Sequence, residues 1–270
     1  MLSSLRKLLR PRAALPRPAV PPGQRVYAVG DIHGRADLFA QLIEAIENDD
    51  RISNTAAPAQ TTIILLGDLI DRGPDSRGVL EMAARWRQKR PVRILLGNHE
   101  EMLLQSLEKL EVLRHFLRHG GRETVLSFDI DEQSYTDATF EEVQAMLHKH
   151  IPLAAIDFIR GFEDSIRIGD YLFVHAGIRP GVALEGQSVA DLRWIREPFL
   201  SSAQAHGAVV VHGHTITPDL EVRPNRLGID TGAYDSGRLT ALALQGEDRW
   251  TIQTACQDGT IVVSTHPVTA

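Results

Sequence analysis

The chain has 270 residues and 43% hydrophobic content, enough apolar material for one large domain or two small ones, which excludes global disorder. Its formal charge of −6 provides no general attraction to nucleic acid. A single cysteine, Cys256, excludes an intramolecular disulfide framework and fits a reducing compartment, so a cytoplasmic location is expected.

The first 24 residues read as a flexible, basic, proline-rich tail. Arg6, Lys7, Arg10, Arg12 and Arg17 interrupt the leucines, so no secretory apolar region forms. Pro11, Pro16, Pro18, Pro21 and Pro22 forbid a long helix. Residues 2–10 have the pattern of a short basic amphipathic turn that could touch an anionic membrane surface. No apolar stretch reaches the roughly 18 residues of a membrane span.

From residue 25 onward the pattern predicts a single domain. Val26 to Val29 reads as a short buried strand. Leu38, Leu42, Ile43 and Ile46 give helical spacing over residues 36–47, followed by a polar loop over 48–60. Thr61 to Leu66 is a second strand, Ser76 to Gln88 a helix, and Val92 to Leu96 a third strand. Strands alternating with helices imply parallel pairing. Residues 100–160 are helical by pattern, broken near Gly120-Gly121 and around Asp129 to Asp137. Strands then dominate: Tyr171 to Val174, Ala208 to Val211, Leu227 to Asp230, Leu239 to Leu244, Trp250 to Ala255 and Thr260 to Ser264.

Polar groups follow the strands in a regular way. The first leads into Gly30-Asp31-Ile32-His33-Gly34, the second into Gly67-Asp68-Leu69-Ile70-Asp71-Arg72-Gly73, and the third into Gly97-Asn98-His99-Glu100. His175-Ala176-Gly177 and His212-Gly213-His214-Thr215 follow two later strands. Parallel strands present their carboxyl ends along one edge, where open α/β sheets bind ligands. So many carboxylates and imidazoles brought together would be costly to desolvate without a compensating cation. Mixed oxygen and nitrogen donors with no thiolate suit manganese, iron, zinc or a similar metal.

In order and spacing these five motifs resemble the PPP-type serine/threonine protein phosphatases, a branch of the calcineurin-like metallophosphoesterases. FVHAGIRPG (173–181), DLRWIREPF (191–199) and IDTGA (229–233) resemble the bacterial members, and the likeness covers about residues 26–245. The resemblance implies an α/β fold of two mixed sheets in a sandwich, flanked by helices and carrying a helical insertion. It implies two divalent ions, manganese first, with iron or zinc as alternatives. Asp31 and His33 would hold the first ion and Asp68 would bridge both. Asn98, His175 and His214 would complete the second. His99 would be the general acid, with Asp71 orienting it. Arg72 and Arg196, with Asn98, would bind the phosphate.

A water between two dications is readily deprotonated and would attack in line, in a single displacement. An alkoxide leaves poorly, so a carboxylate-held histidine suits the donor role, and arginine forks match phosphoryl oxygens. The likeness places the metal ligand in Gly-His-Thr, hence His214, with His212 structural. It likewise prefers Arg196 to Arg193. Where many relatives carry a further histidine, this chain has Ile216, which leaves the first ion three protein ligands. Arg35, Glu100 and Asp230 are expected in turn, helix-start and supporting roles.

The function so implied is a serine/threonine phosphoprotein phosphatase acting on phosphorylated proteins or peptides. The enzymatic alternatives are a symmetrical diadenosine tetraphosphate hydrolase and a phosphotyrosine or small-molecule phosphatase. The dinucleotide hydrolases resemble GDLVARG at the second motif and lack the carboxylate that stands here as Asp71. A non-catalytic scaffold is disfavoured because every expected group is present.

Overall fold

The computed structural model describes residues 17–269. The membrane-surface reading of residues 2–10 lies outside the described residues.

The first half alternates as the sequence predicts: β1 (Gln24–Val29), α1 (Ala36–Ala56), β2 (Gln60–Leu65), α2 (Ser76–Lys89) and β3 (Val92–Ile94). β1 pairs in parallel with β2, and β2 with β3. A helical insertion follows, with α3 (Asn98–Ser106), α4 (Leu110–Phe116), α5 (Arg122–Ser127), α6 (Glu132–Asp137), α7 (Phe140–His150) and α8 (Leu153–Arg160). Between α4 and α5 the chain kinks at Gly120, whose φ is 104°. The second half holds β4 (Ser165–Ile168), β5 (Tyr171–Val174), α9 (Val189–Trp194), β6 (Val209–His212), β7 (Glu221–Val222) and β8 (Arg226–Gly228). It closes with α10 (Ala233–Ser236), β9 (Arg238–Gln245), β10 (Asp248–Gln257) and β11 (Thr260–Pro267).

Two mixed sheets result, ordered β11-β10-β9-β1-β2-β3 and β4-β5-β6-β8-β7. Alternation along each strand sends side chains to opposite faces. Tyr27, Val29, Ile63 and Leu65 pack under α1, α2 and the insertion. Val26, Ala28, Ile64 and Leu66 instead face Tyr171, Phe173, Val209 and Val211 of the second sheet. Leu172, Val174 and Val210 turn outward onto Leu192, Ile195 and Phe199 around α9. The layers are helix, sheet, sheet, helix, as the resemblance implies.

Several local expectations are corrected. The polar loop over 48–60 is largely helix, because α1 runs on to Ala56. That extension has no apolar periodicity of its own; long-range polar contacts hold it. Asp50 pairs with Arg25 at 2.7 Å and Arg90 at 2.6 Å, and Asp49 accepts from Tyr27 Oη at 2.6 Å. Burial alone would raise the Asp50 pKa, but Thr61, Arg90 and Arg25 outweigh it and hold it below the usual carboxylate value. The tail is packed well before residue 24. Val20 is buried between the sheets, its N–H donating to Gly246 O at 2.9 Å, so apolar burial fixes residues assigned to the tail. α6 occupies part of the expected break at 129–137, started by Asp131, whose side chain accepts from Ser134 N. The short strands β4 and β7 and the helices α9 and α10 were not predicted.

Candidate metal centre

The carboxyl ends of β1, β2 and β3 in one sheet, and of β5 and β6 in the other, converge on one rim. Backbone bonds stitch the loops there: Ile32 N and His33 N donate to Asp68 O at 3.1 and 2.9 Å, and Gly213 N donates to His175 O at 2.8 Å. The loops must turn sharply to aim their side chains inward. His33, Asp68, Asp71, Arg72 and His214 all have positive φ, between 46° and 73°. Non-glycine residues rarely adopt that region, and its cost is tolerated where the surroundings over-determine it. Gly213 serves a different need: a Cβ there would collide with Asp31 Oδ1.

Asp31, His33, Asp68, Asn98, His99, His175 and His214 are all buried and gathered at this rim. Asp68 is central. Its Oδ2 lies 3.6 Å from His33 Nε2, 3.5 Å from His175 Nε2 and 3.9 Å from His99 Nε2. Two groups have the spacing to hold an ion, His33–Asp68–His99 and Asp68–His175–His214, and they share Asp68. Asn98 Oδ1 sits 2.9 Å from His175 Nε2 and 2.8 Å from His214 Nδ1. Asp31 Oδ2 accepts from His214 N at 3.0 Å. His33 Nδ1 donates to Ile70 O at 2.7 Å and His175 Nδ1 to Leu66 O at 2.8 Å, which leaves both Nε2 atoms directed at Asp68 and free to serve as ligands.

The donor set fits divalent cations on two grounds. First, Asp31 Oδ1 and His214 Nε2 are buried with no hydrogen-bond partner, a costly arrangement unless a ligand satisfies them. Second, the carboxylates draw positive charge while two of the imidazoles keep free lone pairs to bind an ion. Burial would depress His175, but Asp68 and Asp31 raise it to about 10. Asp31 is pushed well above its usual value by burial and by Asp230. His33 and His214 are lowered to about 3, chiefly by burial.

Beside this cluster stands a dyad. His99 Nδ1 donates to Asp71 Oδ2 at 2.6 Å, and Thr124 Oγ1 donates to Asp71 Oδ1 at 2.5 Å. Burial would lower His99, but the Asp68 and Asp71 carboxylates raise it above the ordinary histidine value. Burial raises Asp71, against the pull of His99. Arg72 donates to His99 Nε2 at 3.1 Å, and its guanidinium lies 4.8 Å over the Tyr234 ring. Tyr234 also meets His33 edge-on at 5.4 Å.

The paired candidates separate by location. His212 stands outside both groups and packs on Phe199 at 5.1 Å, burial lowering its pKa to about 4. Arg193 is tied to Asp164 at 2.6 Å and Glu101 at 3.0 Å. Arg196 is exposed, and its charge bears on His214. Glu100 braces the loops, accepting from Asp68 N at 2.9 Å, Leu69 N at 2.7 Å and Gly97 N at 3.1 Å. Asp230 accepts from Gly232 N at 2.9 Å beside Asp31. Arg35 ties the first loop to α10 through Ala233 O at 2.9 Å. Sequence reasoning missed Thr124 and Tyr234. Tyr234 adjoins the IDTGA stretch, whereas Thr124 lies in the insertion with no motif around it.

Among the described residues no helix is long and apolar enough to cross a membrane. Among curated proteins, a symmetrical bis(5'-nucleosyl)-tetraphosphatase of Nitrosospira multiformis is 26% identical, covering 87% of this chain and 97% of its own. Serine/threonine-protein phosphatase 2 of Escherichia coli is 27% identical over 80% of this chain and 91% of its own. A crystal structure of a putative diadenosine tetraphosphatase superposes with a TM-score of 0.59 at 22% identity, covering 93% of this chain and 99% of that one. The model of the calcineurin-like phosphoesterase family matches residues 24–242, a span that contains every side chain of the cluster. The chain belongs to that family and is a metallophosphoesterase.

Proposed function

We propose that the protein hydrolyses phosphate monoesters of alcohols, with phosphoserine and phosphothreonine in proteins as substrates. The observation that carries this reading is the buried Asp71–His99 dyad. Serine and threonine leave as alkoxides, which need a proton in the transition state. A nucleoside diphosphate is a far better leaving group and gains less from a donor. A dyad braced by Thr124 is therefore the equipment that a monoesterase uses most.

Asp31 and His33 would hold one ion, Asp68 both, and Asn98, His175 and His214 the other. Two divalent ions, manganese first, would acidify a water and withdraw charge from the phosphoryl oxygens. Arg72 and Arg196, with the Asn98 amide, orient the phosphate for in-line attack. Arg72 now occupies His99 Nε2. Moving onto the phosphate frees that nitrogen to carry the proton, which it delivers to the departing oxygen while Asp71 supports the imidazolium.

A second reading, hydrolysis of dinucleoside polyphosphates, is supported by the tetraphosphatases among the relatives. Metal-stripped protein resupplied with Mn²⁺ and assayed on phosphoserine, phosphothreonine and phosphotyrosine peptides and on diadenosine tetraphosphate tests both. Higher kcat/KM on the two alkyl phosphopeptides is expected. A strong preference for the dinucleotide overturns the first reading.

A further inference from the structure

The helical insertion brings beside the site basic side chains that the catalytic scheme does not use. α4 and the kink after it carry His115, Arg118 and His119, all exposed. The two imidazoles lie 4.0 Å apart, and His119 Nδ1 donates to His115 O at 2.8 Å. None of the three forms an ion pair among the described residues, whereas nearby Arg122 is taken up by Glu123 and Glu132. The segment is fastened to the phosphate clamp. Arg72 N donates to Gly120 O at 3.0 Å, and a Cβ at Gly120 would come within 2.6 Å of Arg72 Cγ. His119 is therefore one residue from the backbone that holds Arg72, and Arg72 touches His99. Burial, then the charges of His119, Arg118 and His99, lower His115, so the positive potentials of the wall and the catalytic histidine overlap.

In a chain of net charge −6, an arginine without an ion-pair partner among the described residues, flanked by two imidazole donors beside a phosphate site, selects for substrates with more than one negative group. We propose that His115, Arg118 and His119 form a second anion subsite, which receives a further phosphate or carboxylate next to the scissile phosphate. Resting on the monoesterase reading above, this makes the preferred substrate a phosphopeptide with acidic residues flanking the phosphorylated one. An exposed subsite of this kind gives a modest, salt-sensitive preference.

The test uses the full chain with Mn²⁺. The substrates are a phosphoserine peptide with neutral flanks, the same peptide with Asp and Glu flanks, diadenosine tetraphosphate, and p-nitrophenyl phosphate. Wild type should favour the acidic over the neutral peptide. Arg118→Ala should lower that kcat/KM ratio about five-fold, the size of one exposed ion pair. His115→Asn with His119→Asn should lower it similarly, and high salt should erase the difference. No acidic preference in wild type, or a ratio unchanged in both variants, overturns the subsite. If only the tetraphosphate is turned over, the monoesterase reading fails by itself. The same variants then report on kcat/KM for the tetraphosphate itself, at low and at high salt: a salt-sensitive fall keeps the subsite with polyphosphate as its ligand, and no change overturns it.

Discussion

Replacing His99 by Asn removes the proposed proton donor and leaves Asp31, His33, Asp68, Asn98, His175 and His214 in place. His99 N donates to Asp68 Oδ1 at 3.1 Å through the backbone, so that contact survives the substitution. A positioned general acid contributes about 10²–10⁴-fold to the rate. On phosphoserine peptides, kcat should therefore fall by roughly 10²–10³, or about 3–4 kcal/mol of barrier. On p-nitrophenyl phosphate, whose leaving group departs without a proton, the fall should stay within about ten-fold. Asp71→Asn is the graded version. Both Asp71 oxygens accept hydrogen bonds, from His99 and from Thr124. The Thr124 hydroxyl can rotate to accept from the new amide, so Asn keeps a carbonyl toward His99 and loses only the charge. A charge-assisted bond exceeds a neutral one by about 1 kcal/mol, which predicts a loss of roughly five- to ten-fold on the alkyl substrate alone. Steady-state kinetics on both substrates, with bound metal measured alongside, decides the matter. Equal losses on alkyl and aryl phosphates at unchanged metal content would refute the donor role.

Arg196→Ala should raise KM for phosphopeptides about ten-fold at unchanged Tm, as one charge-assisted contact predicts. Arg193→Ala should instead lower Tm by about 2 °C, because it breaks the pairs with Asp164 and Glu101; a scanning fluorimetry and KM comparison that gives the reverse pattern would exchange their roles. Gly213→Ala, whose Cβ displaces Asp31, should weaken metal binding at least ten-fold in a competition titration with a chelator. Asp50→Asn leaves buried Arg25 without a charged partner and should cost about 3 kcal/mol at neutral pH. Asp50 has a depressed pKa in the fold, so its contribution is complete above the unfolded value of about 3.9 and is lost as the pH falls through the folded one. The gap between variant and wild type in urea midpoints should thus be widest at pH 7 and should start to narrow only as the pH falls below about 4.

The rim was legible because β-branched runs deliver carboxylates and imidazoles at fixed offsets, a pattern that only a shared edge explains. That pattern places Asp31, His33, Asp68, Asp71, Asn98, His99, His175, His212 and His214 along one edge; the choice of six ligands among them, and of His214 over His212, comes from the family likeness. What escaped lacks a local signature. Thr124 reaches Asp71 across 53 positions of chain, and nothing around it announces a hydrogen bond. The second half of α1 is polar but for the exposed Ile52 and Ala56, and is held by Arg25, Arg90 and Trp250, partners distant in sequence. β7 is two residues long, too short for any alternation to show.

The left-handed backbone at His33, Asp68, Asp71, Arg72 and His214 sets a constraint on improving this protein. Each such residue costs about 1 kcal/mol or more relative to relaxed backbone. Five together approach the net stability of an ordinary domain, about 5–15 kcal/mol. Glycine would relieve that cost at every one of them. A screen that rewards only heat resistance or expression would therefore be drawn toward glycine at these five positions, and would discard the side chains that the proposed mechanism needs. Directed evolution of this chain needs turnover in the selection from the first round.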